Sequence, residues 1–139
     1  MTGQCSILYI NTDGFAETQT SALRALGFEV VEARDVPARD TLAKHHGVIV
    51  RLTDGRRMTS VAARLRAAPL FGRRALIALV PASVTTRERR DAVDCGFNVV
   101  LPQESSARDL AASILSLLRR FPEHKCLLRS HSTRRRAVA

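Results

Sequence analysis

The sequence is poor in the features that would place it in most functional classes. It has three cysteines, Cys5, Cys95 and Cys126, an odd number without a C-x-x-C pair, which points away from a disulfide framework and from a zinc ribbon. Reduced, buried thiols are expected. Aromatics are few, one tyrosine and five phenylalanines, so little is available for stacking on bases. The longest apolar runs, such as Ala75 to Ala82, fall far short of the roughly 20 residues that span a bilayer, and the N-terminus lacks a charged region followed by an apolar one. A soluble, cytoplasmic protein without membrane insertion is expected. The phosphate-cradling loops G-x-x-x-x-G-K-[ST] and G-x-G-x-x-G are missing, and nothing has the form of a nucleophile elbow. The sequence therefore reads as that of a binding protein, not an enzyme.

The chain does have a large excess of one charge. Lysine and arginine number 22 against 13 acids, and all but Lys44 and Lys125 are arginine. The excess is uneven: from Arg119 onward there are seven basic residues and one acid, six of the net nine positive charges. Arginine presents a planar fork for phosphate, carboxylate or guanine edges, so this segment invites an anionic partner, while a solvated tail is the plainer alternative. The 139 residues make one domain, read as 1–121, followed by a basic arginine-rich tail, 122–139.

Along the chain, strand and helix signals alternate. Ser6 to Ile10 reads as a strand closed by Asn11-Thr12-Asp13-Gly14, and Phe15, Gln19, Ala22, Leu23 and Leu26 recur at helical spacing up to a capping Gly27. Phe28 to Ala33 is a second strand, and Asp35 with Pro37 in the first turn starts a helix through Lys44. Gly47 to Leu52 and Ala75 to Val80 are continuous apolar strands, separated by a stripe of Met58, Val61, Ala62 and Leu65. Thr85 or Thr86 caps a fourth helix ending at Gly96, and Val99 to Leu101 is a short strand closed by Pro102. Ser105 or Ser106 opens a last helix with Leu110, Ala111, Ile114, Leu117 and Leu118 as its buried face. Strict alternation predicts an α/β fold with a five-stranded parallel sheet, helices on both faces and a working site at the C-terminal strand ends.

Five such units, with INTD after the first strand and DAVDCGFNVVLPQ from Asp91 to Gln103, resemble the receiver domain of bacterial two-component response regulators, a flavodoxin-like (βα)5 fold. The resemblance covers about Ser6 to Arg120. It implies a phospho-acceptor pocket, and this pocket is degenerate. The acidic pair that would hold magnesium falls on Asn11 and Thr12, leaving Asp13 alone, and one carboxylate is a poor magnesium cage. The acceptor aspartate falls on Arg51; sliding the strand by one or two residues would put Leu52 or Thr53 there, neither a carboxylate, and Asp54 could serve only if the strand ran three residues longer. The hydroxyl residue falls on Val80, the lysine on Gln103 and the aromatic switch residue on Val100. A guanidinium cannot accept a phosphoryl group, so a pseudo-receiver is expected. Arg51 either takes over the metal's charge by pairing with Asp13 or points to solvent.

The remaining expectations concern binding. His45-His46 would point to opposite faces if extended and suit a loop better than a metal site; His124, Cys126 and His131 match no closed four-ligand pattern. No cofactor is expected. Arg87, Arg89 and Arg90, with Arg119 and Arg120, are read as sharing one face, on the surface where receivers dock partner proteins. Helix-terminal arginines also complement the helix dipole. The arginine-rich tail resembles that of stand-alone receiver-like proteins that bind cyclic di-GMP, which implicates Arg129, Arg134, Arg135 and Arg136. The expected function is phosphorylation-independent signalling by protein-protein interaction. A cyclic di-GMP effector is the alternative, and nucleic-acid binding by the tail the second.

Overall fold

In the computed structural model, residues 5–11, 17–37, 39–42, 44–52, 56–66 and 75–120 are described. Five strands form one parallel sheet in the order β2-β1-β3-β4-β5, with β1 Ser6–Asn11, β2 Glu29–Ala33, β3 Gly47–Arg51, β4 Ala75–Val80 and β5 Val99–Pro102. The helices are α1 Glu17–Ala25, α2 Arg39–Leu42, α3 Arg56–Arg66, α4 Thr86–Cys95 and α5 Ala107–Leu118. This is the doubly wound, flavodoxin-like topology.

The apolar strands are continuous runs because both faces are covered. Leu8, Ile10, Val48, Val50, Leu76, Ala78 and Val80 face one core layer with Leu42 of α2, Ala62 and Leu65 of α3 and Ala92 of α4. The alternate residues Ile7, Tyr9, Ile49, Ile77 and Leu79 face the other, with Leu23 of α1 and Leu110, Ile114 and Leu117 of α5. Each leucine or isoleucine fully buried this way contributes about 1.5–3 kcal/mol.

Local signals set the ends of the elements. Thr85 accepts from the Glu88 amide and Glu88 reaches back to the Thr85 amide, a reciprocal capping box that starts α4. Gly96 ends α4 with φ 130°, a conformation that favours glycine. Ser106, one of the two anticipated serines, caps α5 by accepting from the Asp109 amide. The expected helix from Asp35 to Lys44 is instead a single turn. Asp35 Oδ1 accepts from the Val36 amide at 2.7 Å and from Arg64 Nη1 at 3.0 Å, so its carboxylate is spent on a turn and on α3.

At the open edge of the sheet, the Glu29 amide bonds the Cys5 carbonyl, which turns the Val30 carbonyl away from β1. Arg24 of α1 donates to that carbonyl at 2.9 Å and lies 3.8 Å from Glu32, covering an edge that would otherwise be a pairing template.

Candidate functional site

The C-terminal strand ends gather four predicted residues. Asn11 lies opposite Arg51 in the β1–β3 ladder, and Arg51 lies opposite Leu79 in the β3–β4 ladder. Asn11 is buried, Arg51 is half-buried with its Nε enclosed, and Val80 is fully buried in the core. The third strand ends at Arg51, one residue before the expected Leu52, which is buried behind it. Thr12 and Asp13 lie outside the described residues, and with them the expected Arg51–Asp13 pair.

Gln103 continues the β4–β5 ladder past the Val80–Pro102 pair, its amide donating to the Val80 carbonyl at 2.9 Å. The Gln103 side chain then donates from Nε2 to the Leu52 carbonyl at 2.9 Å, crossing the end of β4 to the residue after Arg51. The Leu52 amide itself donates to the Leu79 carbonyl at 2.9 Å.

A second tie comes from α1. The Tyr9 hydroxyl, on a fully buried residue, donates to Gln19 Oε1. Gln19 Nε2 in turn donates to the Ser105 carbonyl at 2.9 Å and the Gln103 carbonyl at 3.3 Å. A buried phenol needs such a partner. Tyr9, Gln19 and Ser105 were not among the residues anticipated for the site. The signals available were a lone tyrosine inside an apolar strand and a glutamine within an otherwise apolar helical stripe.

Chemically, the described strand ends offer an amide, a guanidinium, an alkyl group and a second amide. None of these four side chains can accept a phosphoryl group as a carboxylate does. Among the described residues, no three His, Cys, Asp or Glu side chains gather as a metal site.

The two arginine groups are not brought together. Arg87, Arg89 and Arg90 lie in the first half of α4, on the α3 side of the sheet and near the C-terminal strand ends. Arg119 and Arg120 follow α5, which runs back along the α1 side, so they lie near the N-terminal strand ends. The two groups thus sit toward opposite ends of the surface around edge strand β5. Arg129, Arg134, Arg135 and Arg136 lie outside the described residues, as do His124, Cys126 and His131.

The histidine pair stands at the other edge of the sheet. His45 is buried and shares a 2.8 Å hydrogen bond with Ser6 Oγ, while His46 Nδ1 accepts from the Ser6 amide at 3.0 Å. The segment bends before β3 begins, so both rings reach Ser6 instead of pointing to opposite faces. Burial lowers the His45 pKa, partly offset by Glu29, with Lys44 adding to the lowering. Burial also pushes the Cys5 thiol up to about 12, in keeping with an inert core thiol.

No protein-family model matches the sequence, and no curated protein matches it. Solved structures do. A response regulator from Thermotoga maritima superposes with a TM-score of 0.68 at 16% identity, covering 84% of this chain and 98% of that one. A signal receiver domain of a histidine kinase from Clostridium thermocellum gives 0.66 at 14% identity, covering 86% and 99%. The receiver domain of a sensor histidine kinase from Pseudomonas aeruginosa, with magnesium coordinated in its active-site cleft, gives 0.63 at 18% identity, covering 84% and 98%. The chain thus has the receiver fold.

Proposed function

We propose that this chain is a receiver-fold signalling adaptor that works by protein-protein interaction and takes no phosphoryl group. The observation that carries this reading is Arg51 at the end of β3, in register with Asn11, where the resemblance puts the acceptor aspartate. Gln103 adds to it, because its side chain is committed to the Leu52 carbonyl and so is already engaged without a phosphate. A guanidinium supplies fixed positive charge where a receiver would hold a divalent cation, and like charge opposes that cation's entry. The chain is then held in one conformation, its partners chosen by surface and not by phosphorylation state. This reading places it in the cytoplasm, with no catalytic role.

The test is a calorimetric titration of magnesium, then of magnesium with beryllofluoride, a mimic of the phosphoryl group. No saturable heat is expected with either. Binding of beryllofluoride in the presence of magnesium would overturn the reading.

A second reading rests on the tail, where Lys125, Arg129, Arg134, Arg135 and Arg136 stand against the single acid Glu123. Such a segment suits an anionic nucleotide such as cyclic di-GMP. Titration of cyclic di-GMP, with GTP and a DNA duplex as controls, should then give saturable binding that falls when these arginines are replaced. Equal binding of the duplex with a steep salt dependence would favour general nucleic-acid binding instead.

A further inference from the structure

The N-terminal end of the sheet holds a polar cluster remote from Arg51 and Gln103. The β1–β3 register runs from Ile7 opposite Gly47, and the residues just before these, Ser6 and His46, are joined twice. The His46 amide donates to the Ser6 carbonyl at 2.8 Å, and the Ser6 amide donates to His46 Nδ1 at 3.0 Å. The His46 backbone thus takes one main-chain group of Ser6 and its ring takes the other. The Ser6 hydroxyl shares a 2.8 Å bond with His45 Nδ1, and both residues are buried. On the β4 side, the Ala75 amide donates to the His46 carbonyl at 3.3 Å.

The two ring contacts differ in what they demand. A hydroxyl donates or accepts, so either Ser6 or His45 can supply the proton between them. A backbone amide only donates, so His46 Nδ1 must offer a lone pair and the ring proton must sit on Nε2. An imidazolium carries N–H on both nitrogens and would set one of them against the Ser6 N–H. Protonating His46 therefore forfeits the bond that fastens the first amide of β1.

The charged surroundings are mixed. Burial opposes a charge on His45, Lys44 in the turn before β3 adds to that opposition, and Glu29 at the start of β2 partly offsets it. The Cys5 thiol, pushed up to about 12, stays neutral, and Ala75 of β4 brings no charge. Arg119 and Arg120, after α5, add positive charge at this end of the sheet.

We propose that His46, backed by His45, is an acid-sensitive latch on the start of β1: neutral, it holds Ser6 to β3, and protonated, it releases Ser6 while the rest of the sheet stays paired. The latch is closed above about pH 6.5 and opens as pH falls below that value. It acts at the end of the sheet opposite Arg51, so it is independent of whether the chain takes phosphate.

The test combines ring-nitrogen NMR with amide hydrogen exchange on the full chain. At neutral pH the His46 ring should carry its proton on Nε2. Between about pH 7.5 and about pH 5, the protection factor of the Ser6 amide should fall about five- to tenfold more than that of Leu52, just past the other end of β3. His46→Asn, whose side-chain oxygen accepts a hydrogen bond but does not titrate, should keep the Ser6 amide protected and remove the pH dependence. A neutral ring with its proton on Nδ1 would overturn the proposal, as would Ser6 and Leu52 losing protection in step. His46→Asn with the pH dependence of the unaltered chain would also overturn it, assigning the effect to His45 or Glu29. The ring and exchange measurements need no substitution, so they decide the matter even if the variant does not fold.

Discussion

The side-chain amide of Gln103 donates to the carbonyl of Leu52 at 2.9 Å, joining two residues 51 apart in sequence across the C-terminal edge of the sheet. This neutral bond ties the end of β5 to the residue that follows Arg51. Together with the Tyr9–Gln19 tie from α1, it engages the edge on which the resemblance places phosphate chemistry.

Replacing Gln103 with alanine removes the donor and leaves the Leu52 carbonyl unsatisfied. The expected loss is about 1–2 kcal/mol of unfolding free energy, read from urea melts. A loss indistinguishable from zero would mean that the bond does not hold the edge together.

Tyr9→Phe should cost about 1–2 kcal/mol, because it strands the Gln19 oxygen without adding a cavity. Combined with Gln19→Ala in a double-mutant cycle, it should show a coupling of about 0.5 kcal/mol or more. Strict additivity would place the two side chains in independent roles.

The histidine pair gives a pH dependence whose sign is fixed. Burial holds the His45 pKa below its ordinary 6.5, so the unfolded chain binds a proton in a range where the folded chain does not. Its contribution to stability is therefore intact above pH 6.5 and falls as pH drops through that value. Melts across this range should show the decline, and His45→Gln should flatten it while lowering stability at neutral pH. An unchanged slope in the variant would assign the pH dependence to other groups.

Much of this fold was legible in the sequence. Ala75 to Val80 is a strand buried on both faces, and a run of six apolar residues with no alternation says so directly. The Leu110, Ala111, Ile114, Leu117 and Leu118 face of α5 is buried as its spacing implies. The site was only partly legible, since Arg51 and Gln103 could be placed by position but not by contact. The role of Gln103 depends on a side-chain bond to the Leu52 carbonyl, just past the end of β3 and 51 residues away, which no local pattern announces. The role of Gln19 was masked because one glutamine in an apolar stripe reads as a boundary residue until Tyr9 is known to lie beneath it. The short α2 was missed because Asp35 can cap a helix or make a turn, and the distant Arg64 is part of what decides.

The most direct test of the central claim is the intact mass of the full chain after incubation with magnesium and a small-molecule phosphodonor such as acetyl phosphate. The account predicts no phosphoryl adduct and an unchanged amide spectrum, since the resemblance puts Arg51 and Gln103 where an acceptor and its cationic partner would be needed. An acyl-phosphate adduct on an aspartate near that edge, with shifts at Leu52 and Gln103, would contradict it.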